Sequence, residues 1–448
     1  MKRQLVITLM LIFSSAFSLS LFWGCDDDNP EGSSNESNDL KIAVFSDPHL
    51  YDTTLGTAGT DFQTYLAHDR KLIVESEALL QSVVNAIKNS DVDVVFIPGD
   101  LTKDGEKACH VLMASYLNSL ELAGKKVFVV PGNHDINNQH GAKSYSEGGS
   151  SSIATVTSAE FENIYSNYGF SEAFARDPNS LSYVTKLTDK IWLLGLDVCR
   201  YSENTAGKNM TGGKISPASL EWIKSILHQG KTEGAMVLGM MHHGLMEHYT
   251  TQTTMFEEYV IEDWQTLHKT FADSGMKVVF TGHFHSNDVV KGTGNEAGSF
   301  IFDVETGATV TYPCPYRTLT LNADTLTIRT THIKNPNVNY GAVSFADSAS
   351  AYLEEGIYGL AFSLLTTEFG LSEADAQMPA KLLTDAFVAH YAGDESPDAL
   401  ILATIQQIAQ NPDQTYQFLA NTLNELWTDD LPADNNLTID LNTGNVLN

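Results

Sequence analysis

The chain has 448 residues, too many for one average domain, and 42% of them are apolar, enough to bury a sizeable core. That composition excludes an intrinsically disordered protein. The formal net charge of −30 repels nucleic-acid backbones and anionic surfaces, which excludes nonspecific DNA binding.

Lys2 and Arg3 open a mostly apolar run from Leu5 to Trp23, the layout of a secretory signal and too short and broken for a transmembrane helix. Its end, Leu21-Phe22-Trp23-Gly24-Cys25, resembles a bacterial lipoprotein cleavage box, although Phe22 and Trp23 are bulkier than usual there. The resemblance implies a signal peptide over 1–24, lipidation of Cys25 and an exported protein attached to the membrane of the cell envelope, periplasmic or surface-facing. Residues 25–39, starting Asp26-Asp27-Asp28, read as a polar tether. Cys109, Cys199 and Cys314 are odd in number and lack metal-type spacing, so they read as small buried residues.

From residue 40 onward, short apolar runs alternate with helical patterns. Strands are predicted over 41–45, 92–97, 127–130, 191–196, 235–241 and 277–281, with helices over 70–88, 107–123, 219–227 and 258–273. Continuous apolar strands alternating with helices predict an α/β sheet covered on both faces. Runs at 299–304, 318–321 and 325–332 are rich in β-branched residues and predict strands closing a second sheet. The segment 345–448 is helical in pattern and reads as a separate subdomain after a domain over 40–340.

Five of these strands end in potential metal ligands. They lead into Ser46-Asp47-Pro48-His49, Pro98-Gly99-Asp100, Pro131-Gly132-Asn133-His134-Asp135, His242-His243-Gly244 and Gly282-His283-Phe284-His285. Sites of this kind form beyond the carboxyl ends of strands. Asp47 and His49, if extended, face one side, as do His283 and His285. A glycine before Asp100, Asn133 and His283 lets the chain approach an ion closely. Carboxylate, amide and imidazole together suit Mn, Fe or Zn better than Ca. Each piece alone is weak, but the ordered set argues against coincidence.

That set resembles the calcineurin-like metallophosphoesterase superfamily over residues 40–335. The resemblance implies a four-layer α/β/β/α sandwich, α+β by some schemes, holding two divalent ions. Asp47, His49 and His285 would bind the first ion, Asn133, His242 and His283 the second, and Asp100 both. His134 matches the histidine that contacts the phosphate and protonates the leaving group, so His134 and Asp100 are the catalytic candidates. Asp135 is open between orienting His134 and capping the backbone. His242 is preferred to His243 because it follows its strand directly.

Gly99-Asp100-Leu101-Thr102-Lys103-Asp104-Gly105 lacks the metal-binding tyrosine of purple acid phosphatases, with Lys103 in its place. It also lacks the Asp-Arg-Gly of protein serine/threonine phosphatases and is similar to the branch containing cyclic-nucleotide phosphodiesterases. The resemblance thus implies a hydrolase of small phosphate esters, a phosphodiesterase on a small-molecule or nucleotide-type substrate. A scavenging phosphomonoesterase and a non-enzymatic surface binding lipoprotein are the alternatives. Polar loops over 51–68 and 139–152 are expected to overhang the site, with Tyr51, His68 or His140 as candidate contacts.

Overall fold

The computed structural model describes residues 39–393, 395–428 and 432–447. The signal, Cys25 and the tether up to residue 38 lie outside the described residues. Among those described, no helix is long and apolar enough to cross a membrane.

Two seven-stranded mixed sheets stack face to face. The first runs Asn445–Val446, Asn436–Asp440, Thr325–His332, Pro315–Asn322, Leu40–Val44, Val94–Ile97 and Lys126–Val129. Its last three strands are parallel, so their carboxyl ends share one edge. The second runs Val289–Thr293, Phe300–Glu305, Val278–Thr281, Met236–Met241, Ile191–Leu196, Tyr183–Lys186 and Ala175–Arg176, with a parallel centre from Phe300–Glu305 to Ile191–Leu196.

Period two sorts the side chains of the second sheet. Leu193, Leu238, Met240, Val278 and Phe280 point into the layer between the sheets, where Phe280 meets Phe96 at 5.5 Å. Trp192, Leu194, Val237 and Val279 point outward against helices Pro217–Glu233 and Trp264–Asp273. On the first sheet the helices Ser76–Lys88 and Lys107–Glu121 bury Leu79, Leu80, Met113 and Leu117. The result is the expected α/β/β/α sandwich.

The strands predicted beyond 299 do not form one sheet. Phe300–Glu305 joins the second, whereas Pro315–Asn322 lies antiparallel to Leu40–Val44 in the first. Both sheets recruit antiparallel edge strands because each parallel centre leaves open edges.

Four helices follow: Phe345–Thr367, Glu373–Ala392, Ala399–Ile408 and Gln414–Leu426. Ser344, Ser372, Asp398 and Asp413 cap them, each side chain accepting a backbone N–H of the first turn. The region is not helical to its end. Leu437 and Ile439 alternate with less buried neighbours, and their strand extends the first sheet beside Thr325–His332. The described residues therefore close into one compact unit.

The helical core is shared with the sandwich. Phe284, the residue between His283 and His285, belongs to the core that holds Leu353, Ile357 and Leu383, and its ring meets His390 and Tyr391 at 5.9 and 6.1 Å.

Candidate metal centre

The parallel strand ends of both sheets deliver all seven expected ligands to one place. Asp47 Oδ1 lies 3.5 Å from His285 Nε2 and 3.9 Å from His49 Nε2, and the two imidazole nitrogens are 3.3 Å apart. On the other side, His242 Nε2 is 3.0 Å from Asn133 Oδ1, and His283 joins Asp100 and His242 within 4.8 Å. Asp100 Oδ2 stands between the groups, 3.5 Å from His49 Nε2 and 3.4 Å from His242 Nε2.

The backbone differs from the extended form expected at Asp47 and His49. Asp47, His49, Asp100, His283 and His285 all have positive φ, between 37° and 77°. Each such residue costs on the order of 1–3 kcal/mol and persists where its surroundings over-determine it. Left-handed turns, rather than strand periodicity, aim these side chains inward. The glycines act by close approach, as expected: a Cβ on Gly132 would fall 2.0 Å from Asp100 Oδ1, and one on Gly282 2.4 Å from Asp47 Oδ2.

The donor set fits two divalent cations. Asp47 Oδ2 accepts from Ser46 Oγ and the His283 N–H, which leaves Oδ1 buried with no hydrogen-bond partner and turned to the histidines. His242 Nδ1 lies 2.8 Å from Pro98 O, which turns Nε2 toward Asp100 and Asn133. Burial opposes its charge, but Asp100 outweighs it and holds the His242 pKa up to about 9, so a cation bound there would displace a proton. Burial pushes the pKa values of His49 and His283 well down, favouring the neutral form that ligation requires. His243 is held apart: its Nε2 lies 2.7 Å from Thr211 O, and burial with the neighbouring His242 pushes it to about 3.

His134 is oriented by Asp104, not by Asp135. Asp135 takes the backbone N–H groups of Leu101, Thr102 and Gly132, which is the capping role. Asp104 Oδ1 accepts from His134 Nδ1 at 2.8 Å, and the buried Lys103 ammonium contacts Asp104 Oδ2 and Glu106. Burial opposes a charged His134, but Asp100 and Asp104 outweigh it and hold its pKa above the ordinary value. Cations on Asp100 would offset that carboxylate, leaving Asp104 to sustain the shift. The signal for Asp104 was present in the Gly99–Gly105 run, four residues after Asp100.

The site opens toward His134, whose side chain is 26% exposed, and the ligand His285, 17% exposed, while the other six ligands are buried. A cavity of about 580 Å³ begins there, with Asp69, Arg70 and Lys71 on its wall. Tyr51, His68 and His140 do not line it. Tyr51 is buried and donates to Gly56 O, while His68 and His140 are exposed beside Thr64 O and Ala206 O. The second half of the expected loop over 51–68 is a helix, Thr60–Ala67, and Arg70 and Lys71 come just after it.

The sequence profile of the calcineurin-like phosphoesterase family matches residues 40–287, and the chain belongs to that family. It is a metal-dependent hydrolase of phosphoric esters, and the family implies a dinuclear metal centre. No curated protein sequence matches the chain significantly. Similar solved structures include a dimetal phosphatase from Danio rerio, 14% identical, covering 65% of this chain and 96% of its own, at a TM-score of 0.47. Purple acid phosphatase PPD1 from yellow lupin is 12% identical, covering 68% of this chain and 53% of its own, at 0.42. The NAD nucleotidase of Haemophilus influenzae is 12% identical, covering 70% of this chain and 55% of its own, at 0.34.

Proposed function

We propose that the protein is a phosphodiesterase acting on small phosphate diesters, with Mn, Fe or Zn at both metal positions. The observation that carries the reading is the cavity at the open side of the cluster. At about 580 Å³ it has room for ester arms well beyond a phosphoryl group.

When bound, two such ions lower the pKa of water and offset charge on the phosphoryl oxygens. Asp47, His49 and His285 would hold one, Asn133, His242 and His283 the other, and Asp100 both. Arg70 and Lys71 on the cavity wall attract the anionic diester. His134, fixed through Nδ1, turns Nε2 toward Asp100 at 3.9 Å and can deliver a proton to the leaving oxygen.

Comparison of bis(p-nitrophenyl) phosphate with p-nitrophenyl phosphate, using Mn-loaded protein and Asp100→Ala as the blank, tests this. A strong diester preference lost in the variant is expected. A monoester preference would make the protein a scavenging phosphatase instead, and no turnover with any of the three metals would favour a surface binding protein.

We also propose an exported protein anchored through a lipidated Cys25, supported by the motif Leu21 to Cys25. Labelling with a fatty-acid probe, lost in Cys25→Ala, tests it.

A further inference from the structure

We propose that the substrate is an amphiphile: a phosphodiester with one long alkyl or acyl arm, seated between the C-terminal helices. This rests on the phosphodiesterase reading and adds the chemistry of the substrate's second arm.

The cavity that begins at Asp100, His134 and His285 continues without a break to the side chains of helices Phe345–Thr367, Glu373–Ala392 and Gln414–Leu426. Its two ends differ in chemistry. At the ligand end stands Lys71, whose charge reaches His49 and His134 and which pairs with Asp69 at 3.4 Å; Arg70 lies between that end and the helices, its stem against Gly356. The helices supply Leu360, Leu364, Phe387 and Phe418, the turn after the first adds Phe369, and Phe256 of the sandwich completes that wall. A site for a bare phosphate or a small polar ester has no use for such a surface. An alkyl chain does, because each methylene removed from water favours binding about fourfold at full burial.

A nucleoside arm fits less well. A buried base and ribose need hydrogen-bond partners. Among the described lining residues from 357 to 418, the polar groups are Glu368 and Tyr391, and Tyr391 is engaged by the Arg70 charge. Leu360 on the wall is 50% exposed, so this end meets the surface and a chain longer than the cavity has a way out.

The reaction balances as a hydrolysis. Water adds to phosphorus, the P–O bond to one arm breaks, and that arm's oxygen leaves with a proton.

The test is a series of p-nitrophenyl phosphodiesters whose second arm is methyl, butyl, octyl or thymidin-5′-yl, each kept below its micelle concentration. With Mn-loaded protein, kcat/KM should rise at least tenfold from methyl to octyl. In Leu360→Glu, at a half-exposed position that tolerates charge, and in Leu364→Trp, which fills the cavity, the octyl-to-methyl ratio should fall toward one. Unchanged melting temperature and metal content would show that both variants fold. A flat series with good turnover of the methyl ester would overturn the amphiphile and leave the phosphodiesterase standing. A thymidyl ester hydrolysed better than the octyl ester would give the cavity to a nucleoside. Loss of all turnover, methyl ester included, would overturn both readings.

Discussion

His134 donates its Nδ1 proton to Asp104 at 2.8 Å, and Asp104 is itself clamped by the Lys103 ammonium, which is fully buried and lies 4.2 Å from the Tyr65 ring centre. Burial would raise the Asp104 carboxyl, but Lys103 and His134 hold it below its usual range, so it stays an acceptor. Asp104 is therefore a positioning residue for His134.

Asp104→Asn should keep the shape but weaken both the orientation and the charge on which a protonated His134 depends. We expect kcat to drop about 10- to 100-fold for an alkyl leaving group, at the low end of general-acid contributions. p-Nitrophenolate departs without a proton, so its release should suffer far less. The alkaline limb of the pH–rate profile should also move to lower pH. Equal losses with both leaving groups would refute the assignment.

The ligand set was legible because each ligand follows a parallel strand, and strand ends are readable from apolar runs. Asp47, Asp100, Asn133, His242 and His283 stand where those runs stop. What periodicity could not carry was the backbone beyond the strands. The positive φ of His49 and His285 belongs to non-glycine residues and leaves no compositional mark. Arg70 and Lys71 were hidden inside a helical pattern because Leu72 and Ile73 fit its spacing, yet the helix begins at Ser76. The role of the C-terminal helices was invisible for a different reason: it lies in contacts between Phe284 and residues about 70 to 110 positions later, which no local pattern encodes.

Phe284 makes those contacts mechanical. Its ring sits 5.2 Å from Tyr259, 5.4 Å from Phe256 and 6.1 Å from Tyr391, while its neighbours in the chain are the ligands His283 and His285, both with positive φ. Phe284→Ala should cost roughly 3–5 kcal/mol of stability. It should also weaken metal retention, because the strained turn loses its anchor. Urea unfolding together with metal content after dialysis checks both, and Phe284→Leu should recover most of each. Retention of two ions per chain in the alanine variant would separate the helical core from the metal motif.

His110 offers a pH-dependent test away from the ligands. It is buried, accepts from Tyr165 O–H at Nδ1 and donates from Nε2 to Asp135 O, so it is held neutral. Burial lowers its pKa from 6.5 to about 4. Between those values the unfolded chain binds a proton that the folded chain refuses. Stability is therefore full above pH 6.5 and falls as pH drops toward 4, by at most ~1.4 kcal/mol per pH unit and about 3 kcal/mol in total. His110→Gln should be less stable at pH 7 but should lose less on going to pH 5. Denaturant unfolding of both proteins at the two pH values decides it, and an unchanged difference between them would rule this source out.

Gly356 sets helix stability against the active site. It lies inside helix Phe345–Thr367, where alanine is favoured by about 1 kcal/mol on propensity alone. A Cβ there, however, would fall 2.8 Å from Arg70 Cγ, closer than side chains tolerate, so the arginine stem must move. Arg70 lines the cavity, where its charge acts on Tyr391 and Tyr259. Gly356→Ala should then leave the melting temperature equal or higher while lowering kcat/KM for diesters about tenfold, mostly through KM, since a displaced guanidinium no longer meets the phosphoryl charge. Arg70→Ala should produce the same kinetic loss, and the two changes combined should cost little more than either alone, because both act through one side chain. Additive losses would mean that Gly356 supports the site by a route other than Arg70.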